Sequence, residues 1–229
     1  DICFAWGASS TLDSIVEGYS DFFNIFIPFG SRVSTLVLDL HALSDSKNID
    51  LLYDSIVTDI LLFNQNACTS TRHVCFVNAT STSKNDVLSF FSSLERAANK
   101  SKYNHVDSLQ SRLSNYFKAS PSILNSMTPC FKPENRFWWS KINKISEATF
   151  NWLNAVSSGI LTYSIHENTE DFKAFYSSSY LKGRITHYGL SDEYLDIIKT
   201  KLSVDYNRSQ SDLVPVGFSN SLSLKWDGI

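Results

Sequence analysis

The chain has no apolar run long enough to cross a bilayer, and no charged-then-apolar leader opens it. It has no Cys-x-x-Cys pair, and no histidine pair accompanies its cysteines, so the usual zinc patterns are excluded. An excess of positive charge is also missing: 20 Lys and Arg against 23 Asp and Glu leave a net charge of −3. Proteins that grip a nucleic-acid backbone draw much of their affinity from phosphate contacts and are usually basic, so only a local basic patch could serve such a partner. Internal repeats and low-complexity linkers are absent. What remains is a folded composition. The 229 residues are 43% hydrophobic and 19% charged, enough to bury a sizeable core.

Patterned sequence begins at Asp1, as expected of a mature, processed protein. Three triplets, at Asn78, Asn99 and Asn207, fit the N-glycosylation acceptor pattern. With four cysteines (Cys3, Cys68, Cys75 and Cys130) they favour a secreted or vacuolar glycoprotein. Cys68 and Cys75 are close enough in sequence to close a short loop, or else the cysteines are buried thiols.

Residues 11–23 place Leu12, Ile15, Val16 and Tyr19 at helical spacing. Residues 32–40 and 73–79 read as strands. Residues 49–63, long, apolar and mixed with Ile, Val and Thr, fit either one helix or two strands with a bend. From about residue 83 the periodicity turns helical, through "SKNDVLSFFSSLERAANK", "HVDSLQSRLSNYF", "PSILNSMTPCF", "SKINKISEATFNWLNAVSSGI" and "LSDEYLDIIKTKL". The tail "DLVPVGFSNSLSLKW" reads as a short hairpin around Gly217 to Asn220. Strands first and helices later predict an α+β fold. The expected division is a large region, 1–180, with a mixed N-terminal sheet, a helical core and a cleft, and a small C-terminal region, 181–229, of helix and hairpin.

The order of these elements resembles the plant ribosome-inactivating proteins of the single-chain, trichosanthin-like kind. The likeness rests on "DICFAWGASSTLDSIVEGYSDFF", "NIFIPF", "LVLDLHALSD", "YNHVDSLQSRLSN", "ISEATF" and the closing "VPVGFSNSLSLKW". It places "NIDLLYDSIVTDILLF" where that family has antiparallel strands. The resemblance implies an rRNA N-glycosylase that removes one adenine from the large ribosomal RNA. The ribosome would be its partner, the protein a monomer, and no metal or organic cofactor is implied. Such chemistry needs a carboxylate near the ribose, to stabilise positive charge as the bond breaks, and aromatic faces around the flipped base. Glu147 matches the family's glutamate. Tyr194 stands at its tryptophan position, and Tyr103 and Phe150 lie near the remaining pocket positions. Leu61 and Val106 fall where the two tyrosines belong, and the arginine position falls near Thr149 or Phe150. These departures leave open a degenerate protein of the same fold, kept for storage, defence or binding.

Without the resemblance, Glu147 lies off the stripe formed by Ile142, Ile145, Thr149, Trp152 and Val156, and reads as a solvated helix residue. Trp138 and Trp139, beside Arg136, could stack on bases or anchor the core. The five histidines show neither ligand spacing nor a Ser/Asp partnership. "WGASS" (6–10) has the look of a serine-esterase start, but the aspartate of that motif is missing.

Overall fold

Residues 34–39 and 71–77 are buried on both faces without a break, the signature of strands in a parallel sheet covered on each side. In the computed structural model they form two central strands. The structure describes residues 2–7, 9–22, 25–29, 31–79, 84–103, 109–117, 128–130, 135–156, 159–179, 181, 183–204 and 213–220. A first unit is strand β1 (Ile2–Trp6), helix α1 (Ser9–Tyr19) and strand β2 (Ile25–Phe29), with β1 and β2 paired in parallel.

The main sheet follows. Its elements are β3 (Ser34–Asp39), α2 (Leu40–Ser44), α3 (Ile49–Leu61), β4 (Thr71–Val77), α4 (Lys84–Lys100), α5 (Leu109–Tyr116), β5 (Thr128–Cys130) and β6 (Trp138–Lys141). Then come α6 (Glu147–Ala155), β7 (Ile160–Ile165), α7 (Thr169–Ser178), β8 (Ile185–Tyr188), α8 (Asp192–Val204) and β9 (Leu213–Pro215). The seven strands run in the order β5-β6-β7-β4-β3-β8-β9, and every pairing is parallel except β5 with β6.

Alternation along the strands splits the core in two. Leu36 pairs with Val74 and Leu38 with Phe76, and these four side chains face α3 and α4. Val37 pairs with Cys75, and both face α6, α7 and α8. This α/β arrangement corrects the expected α+β ribosome-inactivating fold. Strands and helices alternate, whereas that reading put strands first and helices later.

The reasons are local. Residues 49–61 form one helix because Leu52, Tyr53, Ile56, Val57, Ile60 and Leu61 fall on one buried face. The β-branched residues that suggested strands are accommodated by burial, which overrides their modest helix propensity. Residues 128–130 and 140–141, expected to be helical, are strands, and Trp138 and Trp139, at the start of β6, point to opposite faces of the sheet. Both tryptophans are core anchors: Trp139 stacks on Phe91 at 4.5 Å, and the Arg112 guanidinium lies 4.3 Å from the Trp138 ring. Residues 213–215 form a strand beside β8, while the second half of the expected hairpin lies outside the described residues. No described helix is long and apolar enough to cross a membrane.

Candidate active site

Between α3 and β4 the backbone does something ordinary residues resist. Phe63, Asn64 and Gln65 all have positive φ, at 59°, 53° and 61°. Each such residue costs on the order of 1 kcal/mol or more, and strain of this kind persists only where the surroundings impose it. The restraint here is Gln65, which is fully buried. Its Nε2 donates to the carbonyls of Thr71 and Ile160, both at 3.0 Å, and its Oε1 accepts from the Gly159 amide at 3.0 Å. The buried Arg72 completes the clamp. It donates to the Gln65 carbonyl at 2.6 Å, and to the Leu153 and Val156 carbonyls at the end of α6. A cation there satisfies carbonyls that a helix terminus leaves without partners.

The clamped turn presents Cys68. Its carbonyl accepts from the Ser34 hydroxyl at 2.8 Å. On the next residue, the Thr69 hydroxyl donates to Asn220 Oδ1 at 2.5 Å, and the Ser70 amide donates to the Ala67 carbonyl at 3.0 Å. The segment that brings Asn220 is held in turn by the buried Asp59, whose carboxylate accepts from the Gly217 and Ser219 amides at 2.6 and 3.0 Å. Cys68 itself is only partly buried. Burial draws the Arg72 guanidinium down to about 10, and negative charge on Cys68 opposes that shift. The charges of Arg72 and Cys68 are thus coupled.

The other thiols differ. Cys75 is fully buried on β4, where desolvation pushes its pKa up to about 12 against a hydrogen bond from Ser164. It stays protonated and inert at neutral pH. Cys3 lies on β1, in the first unit. Cys68 and Cys75 are not joined: the described cysteines are thiols. Among the described residues, no cluster of His, Cys, Asp or Glu could hold a metal ion.

What the arrangement offers chemically is a partly exposed sulfur on a rigid turn beside a buried cation, the setting of a thiol nucleophile. The family model for acyl-CoA reductases (LuxC) matches residues 1–115, a span that contains the whole turn. The chain belongs to the acyl-CoA reductase (LuxC) family.

Solved structures agree on the fold. The chain is similar to methylmalonate-semialdehyde dehydrogenase from Oceanimonas doudoroffii at 9% identity and a TM-score of 0.63, over 98% of this chain and 47% of that one. It is similar to gamma-glutamyl-gamma-aminobutyraldehyde dehydrogenase from Burkholderia cenocepacia J2315 at 10% identity and a TM-score of 0.62, over 95% and 44%. An NAD-dependent aldehyde dehydrogenase from Sinorhizobium meliloti gives 8% identity and a TM-score of 0.63, over 94% and 43%. This acyl-CoA reductase family chain thus spans less than half the length of those structures. No curated protein matches it in sequence.

These findings correct the ribosome-inactivating reading. The rRNA N-glycosylase activity, the toxin and plant-defence roles and the ribosomal RNA partner go with it. The residues named for that activity are placed as follows. Glu147 is exposed in the first turn of α6, where a carboxylate suits the helix dipole. Phe150 and Tyr194 are buried in one core cluster, and the Tyr194 hydroxyl donates to Asn78 Oδ1 at 2.9 Å. Tyr103 packs against the cluster on the opposite face of the sheet. The structure therefore joins Phe150 and Tyr194 but leaves Tyr103 apart and Glu147 in solvent.

Of the three sequon asparagines, Asn99 is exposed on α4, and Asn78 donates its amide to Asp39 at 2.5 Å. Asn207 and Val106 lie outside the described residues. Sequence reasoning missed Cys68, Gln65 and Arg72. The available signal was "QNACTSTR", a cysteine among small polar residues between a glutamine and an arginine. Cys75, in "HVCFVNA", sits among apolar residues instead.

Proposed function

We propose that this chain performs the acyl-transfer half of an acyl-CoA reductase reaction, with Cys68 as the nucleophile. One observation carries the reading: a left-handed turn of three non-glycine residues, clamped by buried Gln65 and Arg72, that presents a partly exposed thiol. The Cys68 sulfur attacks the thioester carbonyl carbon. The carbon–sulfur bond to coenzyme A breaks, and coenzyme A leaves as its thiol with the proton that Cys68 gave up. The acyl group stays on Cys68 as a thioester, and no redox change has occurred. Arg72 favours the ionised sulfur, the Ser34 hydroxyl holds the Cys68 carbonyl, and the Thr69 hydroxyl ties the next residue to Asn220.

Reduction of that thioester to an aldehyde needs a hydride donor. A nicotinamide dinucleotide, when bound, supplies it. The β1–α1–β2 unit suits the phosphate end of such a group: its two strands pair in parallel, Gly7 opens the turn into α1, and the first turn of α1 has no acidic side chain. Gly7 and the start of α1 would hold that end.

The test is intact-protein mass spectrometry after incubation with a series of acyl-CoA thioesters. The expected result is a single acyl adduct, mapped to Cys68, with release of one equivalent of free coenzyme A thiol. Cys68→Ala is expected to form none. An adduct that persists in Cys68→Ala, or the absence of any adduct on the unaltered chain, overturns the proposal.

A further inference from the structure

Along the chain the histidines have no serine or aspartate partner, but the sheet supplies them. His73, on β4, stands opposite Thr162 on β7, and Cys75 stands opposite Ser164. His73 Nδ1 hydrogen-bonds the Thr162 hydroxyl at 2.8 Å, and His73 Nε2 the Ser164 hydroxyl at 3.1 Å. Ser164 in turn bonds His166 Nε2 at 2.8 Å, and His166 Nδ1 lies 3.5 Å from the Asp171 carboxylate on α7. The order is that of a Ser-His-Asp triad, yet Ser164 and His166 are 2% and 3% exposed, and the Phe175 ring packs on both imidazoles. A substrate cannot reach that serine, so the row serves the chain itself.

The row lies beside the clamp of the Cys68 turn. Gln65 Nε2 bridges the Thr71 carbonyl of β4 and the Ile160 carbonyl of β7. His73 and Thr162 are two residues further along those same strands, and the bond between their side chains fixes the gap that Gln65 spans. Arg72 is held from the same place. Thr162 has one hydroxyl hydrogen and directs it at the Arg72 carbonyl, 3.4 Å away, so His73 Nδ1 carries the hydrogen shared with Thr162. Burial keeps His73 neutral, lowering its pKa to about 3, and His166 adds to the shift. His166 itself faces Asp171 of α7 and Lys141 of β6. We infer that His73 and Thr162 are positioning residues for the Cys68 thiol: they set the spacing of β4 and β7 that fixes Gln65 and Arg72, and so the charge beside the sulfur. The inference rests on the reading of Cys68 as the nucleophile, but its first readout needs no acyl substrate.

The test is the pH profile of iodoacetamide labelling at Cys68 in the full chain, read by peptide mapping. Thr162→Val removes the hydroxyl at nearly constant shape. It is expected to move the midpoint up by about one pH unit and to slow labelling at pH 7 by up to about tenfold. Thr162→Ser, which keeps the hydroxyl, should restore the profile of the unaltered chain. His73→Asn, whose amide reaches the Nδ1 position, should do the same, whereas His73→Gln, whose amide reaches only the Nε2 position, should shift the profile as Thr162→Val does. Urea midpoints are measured alongside. A row that only stabilises the fold would lower the urea midpoint of Thr162→Val and leave the labelling profile of the folded chain in place, and that result overturns the inference. So does a profile moved equally by Thr162→Val and Thr162→Ser. Incubation with an acyl-CoA separates the two proposals. An acyl adduct at Cys68 with unmoved labelling profiles would remove the positioning role and keep the acyl-transfer reading. Moved profiles with no adduct on the unaltered chain would do the reverse.

Discussion

Two cysteines seven positions apart behave as different chemical species because of what surrounds them. Cys75 is sealed in the core and held as a thiol near 12, whereas Cys68 stands partly exposed beside Arg72. Iodoacetamide at pH 8 is therefore expected to label Cys68 and spare Cys75 in the folded chain, with both labelled in denaturant. Peptide mapping reads the outcome, and equal labelling in the native state would contradict the contrast. Gln65 is the residue on which the turn depends. Gln65→Ala removes three buried hydrogen bonds and strands the Gly159 amide and the Ile160 and Thr71 carbonyls. The expected loss is about 2–4 kcal/mol in a urea unfolding experiment, together with slower labelling at Cys68. The residue types around Cys68 were visible in "QNACTSTR", but their roles were not. A glutamine becomes a clamp only when strands β4 and β7 bring their ends to it.

At the scale of elements, the long amphipathic segments were legible. The helices at Lys84–Lys100 and Asp192–Val204 and the strands at Ser34–Asp39 and Thr71–Val77 follow from periodicity and β-branched content. The segment at 49–61 was ambiguous because a buried helix and a buried strand pair are both apolar throughout. Strand pairing was harder still, since parallel neighbours are joined through crossovers and leave no turn signal between them. One glycine shows how close that pairing is. A Cβ at Gly183 would run into the backbone of Val33 and Ser34, just before β8 meets β3. Gly183→Ala must push those strands apart, and a loss of about 2 kcal/mol or more is expected. Thermal unfolding checks this; an unchanged midpoint would show that the sheet edge yields easily.

For the whole molecule, a buried polar seam under the sheet sets the acid limit of stability. His73 hydrogen-bonds Thr162 at 2.8 Å and Ser164 at 3.1 Å, and Ser164 hydrogen-bonds His166 at 2.8 Å. Burial lowers His73 to about 3, aided by His166, and lowers His166 to about 4 despite Asp171. The unfolded chain binds these protons near the ordinary value of 6.5, so between about 6.5 and 4 it holds more protons than the folded chain. Stability should be level above neutrality and fall as the pH drops through that window. Urea midpoints at pH 7.5, 6 and 5 test this, with His166→Asn expected to flatten the fall. Midpoints constant down to pH 5 would mean that the seam admits the proton.

The sequence by itself determined that the chain folds, that it buries a large aromatic and aliphatic core, and where most helices and two central strands run. Those properties follow from local periodicity and composition, which act over a few residues. Tertiary structure decided the layer arrangement, because parallel pairing depends on residues far apart in the chain. It decided the setting of Cys68 as well. Gln65, Cys68 and Arg72 share one short window, but the carbonyls and the amide that hold Gln65 and Arg72 come from the end of α6 and the start of β7, 81 to 95 residues away.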